Sequence, residues 1–152
     1  VSSDDKPLEF VIAKEEDQIS RKILKWLNTF PEIPLSIFRV DYEFMNAELE
    51  CMALSLVQST YIIERFIDDS YIAEYQFKIV YRVNPSTTIL RLGADELLNA
   101  LGDWASSQKP DIGDGLKVRE LEQTARSSLF ARMERGWEDH QIFMRMTYEV
   151  GT

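Results

Sequence analysis

The sequence predicts an α+β domain, one mostly antiparallel β-sheet flanked by two main helices. Two stretches, 15–30 and 88–106, repeat their apolar residues with helical spacing. Three others, 38–44, 71–83 and 141–150, alternate with the period of two that marks a strand. Turn residues separate them in the order helix, strands, helix, strands, without the strand–helix alternation of a parallel sheet.

Residues 1–14 read as a polar N-terminal arm or leader, and 15–152 as a single domain. Pro7 and the Ser-Ser-Asp-Asp run have little to bury, while Leu8, Phe10, Val11 and Ile12 suit a short docked strand. From Glu15 the spacing of Ile19, Ile23, Trp26, Leu27 and Phe30 gives one helix face. Glu15, Glu16 and Asp17 suit the positive end of its dipole, and Pro31 and Pro34 stop it. Phe38, Val40, Tyr42 and Phe44 then alternate with Arg39, Asp41 and Glu43, predicting a half-buried strand. Met45–Val57 fits two patterns. Met45, Leu49, Met52 and Leu56 suit a helix, and Met52, Leu54 and Leu56 suit a strand.

Thr60–Ile67 is rich in β-forming residues, and Asp68-Asp69-Ser70 is a turn signal. Tyr71, Ala73, Tyr75, Phe77, Ile79, Tyr81 and Val83 follow, all odd-numbered, so 60–83 reads as a β-hairpin. Asn84-Pro85-Ser86 breaks the strand. A second helix is predicted over Thr88–Ser106, with Leu90, Ala94, Leu97, Leu98, Leu101, Trp104 and Ala105 on one face. Gly93 and Gly102 weaken it, by up to about 1 kcal/mol each relative to Ala. Ser107–Gly115 is a loop. Leu121, Ala125 and Leu129 permit a helix, whereas Ile142, Met144, Met146, Tyr148 and Val150 mark a strand. Gly136 suits a hairpin turn joining that strand to 128–134.

The composition excludes several functions. The 152 residues hold 17 Lys+Arg against 26 Asp+Glu, a net charge of −9, which disfavours general binding along a phosphate backbone. One Cys, Cys51, forms no intrachain disulfide, and one His, His140, builds no ordinary zinc site. No apolar run reaches the roughly 18 residues of a membrane helix, and the acidic N-terminal segment does not read as a signal peptide. The expectation is a cytosolic, soluble domain without a membrane partner, catalytic residue, metal or cofactor.

Glu15-Glu16 and Asp68-Asp69 read as a helix start and a turn, not as catalytic carboxylate pairs. His140 reads as a surface residue just before the last strand, and Cys51 as an inert buried thiol. The Asp111-Ile112-Gly113-Asp114-Gly115 stretch fails the calcium-loop pattern. The hairpin concentrates Tyr61, Phe66, Tyr71, Tyr75, Phe77 and Tyr81; core packing and β-propensity account for most of them, and a surplus of this kind in a small chain also suits a subunit interface.

Arg65-Phe66-Ile67-Asp68-Asp69-Ser70-Tyr71 followed by Tyr75-Gln76-Phe77-Lys78-Ile79 resembles the tail terminator proteins of long-tailed bacteriophages of Gram-positive bacteria, the "minor capsid protein" group. The likeness runs from about Glu15 to Val150. It takes in Ile19–Phe30, Phe38–Phe44, Leu97–Trp104 and Met144–Glu149, and departs at Asp69, where a glycine is usual.

The resemblance implies a non-enzymatic virion protein, made in the host cytoplasm and placed at the tail–head junction. It implies a homohexameric ring that caps the tail tube protein and meets the head connector, or stopper, while genomic DNA passes through the lumen. It also implies strands at Cys51–Gln58 and within Leu116–Met133. On this basis the candidate subunit- or tube-contact residues are Arg65, Phe66, Asp68, Asp69, Ser70, Tyr71, Tyr75, Arg135 and Trp137. Six copies would carry roughly −54 charges, and an acidic lumen lets DNA slide without sticking. Arg65, Lys78, Arg132, Arg135 and Arg145 are then available to acidic residues of a neighbouring subunit. The alternatives are a head-completion protein of the same virion and a small cytosolic α+β enzyme or ligand-binding domain.

Overall fold

The computed structural model describes residues 9–37, 39–43, 45–46 and 48–151. In chain order its elements are β1 (Glu9–Phe10), α1 (Ala13–Leu27), β2 (Val40–Tyr42), β3 (Cys51–Leu56), β4 (Tyr61–Arg65), β5 (Tyr71–Val83), α2 (Thr88–Ser106), β6 (Leu116–Arg132) and β7 (Glu138–Val150). All seven strands form one sheet, and the fold is α+β. Every strand pair is antiparallel except β2–β3.

β5 organises the sheet. Its whole length pairs with β7, which in turn pairs with β6. Its other edge is shared, with β4 along the first residues and β3 along the last. Ala73, Tyr75, Phe77 and Ile79 of β5 fall opposite Tyr148, Met146, Met144 and Ile142 of β7, so this face is apolar through its middle, while at its far end Tyr81 and Val83 lie opposite His140 and Glu138. Both helices lie on that face. Ile19, Ile23 and Leu27 of α1 and Ala94, Leu98, Leu101 and Ala105 of α2 complete a single core. Trp26 stacks on Trp104 at 4.9 Å, locking the helices together.

The opposite face is polar and laced across strands. Arg82 of β5 donates two hydrogen bonds to Asp139 of β7, at 2.7 and 2.8 Å. Arg145 of β7 pairs with Glu122 of β6. Lys78 lies 5.5 Å above the Phe130 ring.

Several expectations change in detail. The Met45–Val57 stretch is a strand over Cys51–Leu56, and 116–132 is one long strand. The helical pattern yields to sheet pairing in both places, β3 lying between β2 and β5, and β6 running as an edge strand along β7. The strand predicted over 38–44 shortens to Val40–Tyr42, with Tyr42 exposed. Phe38, Phe44 and residues 1–8 lie outside the described residues. Phe30 packs into the core from the turn after α1, not from the helix. Leu90, placed on the buried face of α2, is exposed at the helix start.

The two α2 glycines differ in use. A Cβ at Gly102 would sit 2.5 Å from Gln123 Oε1, where β6 crosses the helix, while Gly93 faces open space. Gly93→Ala is therefore expected to add about 1 kcal/mol to stability by urea unfolding, and Gly102→Ala to add nothing.

Candidate interaction surface and the buried network behind it

The β4–β5 hairpin carries most of the predicted contact residues. Arg65, Phe66, Asp68 and Asp69 are exposed, with Ile67 fully so. The turn is closed by Phe66 N–H donating to Ser70 O and by the Asp68 carboxylate accepting from the Ser70 amide at 3.1 Å. The Ser70 hydrogen bonds hold the Asp68 carboxyl below its ordinary range. Asp69 stands at φ 69°, in the left-handed region, where a glycine carries no Cβ penalty. Asp69→Gly is expected to stabilise the hairpin by about 0.5–1 kcal/mol, read as a shift in the urea midpoint.

Two predicted contact residues are turned inward. Tyr75 is wholly buried, its hydroxyl 2.8 Å from Ser20 Oγ of α1. It cannot meet a partner, because its odd position in β5 puts it on the core face. Tyr71 is half-buried and donates to Glu15 Oε1, while Tyr148 donates to Glu15 Oε2 at 2.7 Å. Tyr71 and Tyr75 of β5, with Tyr148 of β7, thus serve α1, their hydroxyls bonded to polar residues of the helix, while Tyr81 donates to Glu50. Burial is the first cause that raises the pKa of Tyr71, Tyr75 and Tyr148, with the Glu15 carboxylate adding to it at Tyr71 and Tyr148. Tyr81 is raised likewise, by burial and by Glu50.

Arg135 and Trp137 lie at the other end of the sheet. Arg135 is exposed at φ 63°, in the turn between β6 and β7, and pairs with Glu48 at 2.7 Å. Gly136 follows at φ 84°, with Asn84 Oδ1 2.7 Å from where its Cβ would stand. β5 has 13 residues, so at about 3.3 Å per residue its two ends are roughly 40 Å apart. The candidates divide between two ends and do not form one site.

The basic residues reserved for a neighbouring subunit mostly have partners in their own chain. Arg65 pairs with Glu9, Arg132 with Glu138, Arg135 with Glu48 and Arg145 with Glu122.

His140 corrects the expectation of a surface histidine. It belongs to β7, is 0% exposed, and lies between two carboxylates. Nδ1 is 2.8 Å from Asp95 Oδ1 of α2, and Nε2 is 3.0 Å from Glu138 Oε1. Each ring nitrogen thus has a carboxylate oxygen within hydrogen-bonding distance. Ser127 Oγ of β6 donates to Asp95 Oδ1 at 2.6 Å, and Arg91 donates to Glu138 at 2.7 Å. Burial pushes the Glu138 carboxyl up, but the hydrogen bonds from Arg91 and His140 outweigh it and leave the carboxyl below its ordinary value.

The network holds a serine, a histidine and an aspartate, yet not in the order of an activated nucleophile. Ser127 bonds the carboxylate, not the imidazole, and neither ring nitrogen is free to take its proton. Its evident work is to tie α2 to the β6–β7 hairpin. The even numbering of His140, in phase with Ile142 and Met144, was the available signal that it faces inward. Cys51, expected to be buried, is half-buried beside Asn46 and Met45, with its thiol pKa raised by burial. No protein-family model matches the chain, and no curated protein matches it.

Proposed function

We propose that the chain is a phage tail assembly protein. It caps the completed tail tube as a ring, meets the head connector with its opposite face, and lets DNA pass through the lumen. One observation carries this reading. Exposed contact segments of different chemistry stand at the two ends of β5, an apolar and acidic hairpin tip at one and the Arg135–Trp137 turn at the other. A ring subunit needs contact segments of more than one kind, for its neighbours in the ring and for the partners above and below it. The net charge of −9 suits a lumen that repels phosphate.

Negative-stain microscopy of the purified protein mixed with tail tubes tests the proposal. Tubes of fixed length with capped ends are expected. Bare, still-growing tube ends overturn the reading.

A further inference from the structure

We infer that copies of this chain associate head to tail, the β4–β5 hairpin tip of one docking on the outer face of α1 of the next. The tip combines an apolar point with an acidic surround. Ile67 is fully exposed, Phe66 lies beside it, and Glu64, Asp68 and Asp69 are exposed around them.

The α1 face is its complement. Arg21, Lys22 and Lys25 are exposed, and Lys25 lies four residues beyond Arg21 and three beyond Lys22, so both neighbour it on the helix surface. With the loop before β6 they border a concavity of about 590 Å³ that includes Ile112 and Leu116. Asp111 and Asp114 also border it, and Asp111 is occupied in accepting from the Gly113 amide at 3.0 Å.

Arg21 sets this face apart, whereas its lysines do not, since no described lysine is in an ion pair. Nine of the ten arginines are in ion pairs with carboxylates of their own chain. Among the described residues Arg21 is the arginine without one, and neither Lys22 nor Lys25 has an acidic partner within 4.0 Å. In a chain of net charge −9, a cationic cluster left unpaired is matched to an anionic partner outside the chain.

That partner is a second copy because every copy supplies both halves. A carboxylate-rimmed apolar tip fits a concavity that bears Arg21, Lys22 and Lys25 on one side and the partly exposed Leu116 beside them. The two patches are different surfaces, so the contact is heterologous. Such a contact makes a ring when its rotation closes and a filament when it does not. Closure into a ring rests on the assembly reading above, while the contact itself stands on the two surfaces.

Sedimentation of three proteins tests this: wild type, an α1 variant (Arg21→Glu with Lys25→Glu) and a tip variant (Ile67→Ser with Asp69→Asn). All four positions are exposed, and circular dichroism checks that each variant is folded. Wild type is expected to assemble, increasingly so at low salt. Each variant alone should associate roughly 100-fold more weakly, since opposed like charges or a lost apolar point remove the contact. An equimolar mixture of the two variants should give one-to-one dimers and nothing larger, because only one intact interface is left per pair. Variants that assemble like wild type overturn the inference; if wild type also caps tubes, the assembly reading survives. Wild type that stays monomeric to about 1 mM overturns it as well. Binding of duplex DNA that Arg21→Glu abolishes reassigns the α1 face to nucleic acid and equally overturns it.

Discussion

His140→Ala is expected to cost about 1–3 kcal/mol of folding stability, the usual loss when a buried hydrogen-bonding group is removed and its partners are left without it. The variant leaves Asp95 and Glu138 with no group between them, inside a site where His140 itself is 0% exposed. Arg91 and Arg132 still neutralise Glu138, while Asp95, whose side chain is 28% exposed, keeps the Ser127 hydroxyl. Small domains hold about 5–15 kcal/mol in all, so the loss is a large share of the total. Urea unfolding measures it directly. His140→Gln, which retains one donor, should fall between wild type and alanine.

The control is the surface pair Arg126–Asp103, whose side chains are 66% and 68% exposed. Asp103→Ala should change stability by less than about 0.5 kcal/mol. If His140→Ala behaves like Asp103→Ala, the network does not hold α2 to the sheet.

The sequence disclosed the fold through periodicity and hid the network for the same reason. Alternation in 71–83 and 141–150 identified β5 and β7 because an antiparallel central strand buries every second residue. It also carried the answer for Tyr75 and His140, both in phase with apolar neighbours. Their polar atoms invited a surface or interface role, because a lone sequence does not display the partner that makes burial tolerable. Ser20 lies 55 residues from Tyr75, and Asp95 lies 45 from His140.

β6 was obscured differently. Its pairing with β7 slips at four places, so its apolar residues lose the period of two and imitate a helix. The hairpin tip was found because turn chemistry is local. That it stands roughly 40 Å from Arg135 follows only from the length of β5, 13 residues, once its pairing is known.

Alkaline pH is expected to unfold this protein steeply, through tyrosines that the core holds neutral. Tyr75, Tyr81 and Tyr148 are buried, and each has its pKa raised above the ordinary value near 10. A raised folded-state value means that above pH ~10 the unfolded chain releases protons that the native state retains. Their contribution is therefore complete below that pH and lost as the pH climbs beyond it. Each such group removes up to about 1.4 kcal/mol per pH unit, so the three together remove about 4. A reserve of about 5–15 kcal/mol then lasts roughly one to four units.

Tyr148→Phe separates this effect from general alkaline damage. At neutral pH the variant should be less stable by about 1.5–3 kcal/mol, since the Glu15 carboxylate loses a donor. As pH rises toward 11, about one unit above the ordinary tyrosine value, wild type must keep Tyr148 protonated and the variant has nothing to titrate. The gap should narrow by about 1.4 kcal/mol per unit. Urea unfolding of both proteins at about pH 7, 9 and 11 reads it. Curves that fall in parallel would show that Tyr148 titrates alike in the folded and unfolded chains, and that its bond to α1 does not govern the alkaline limit.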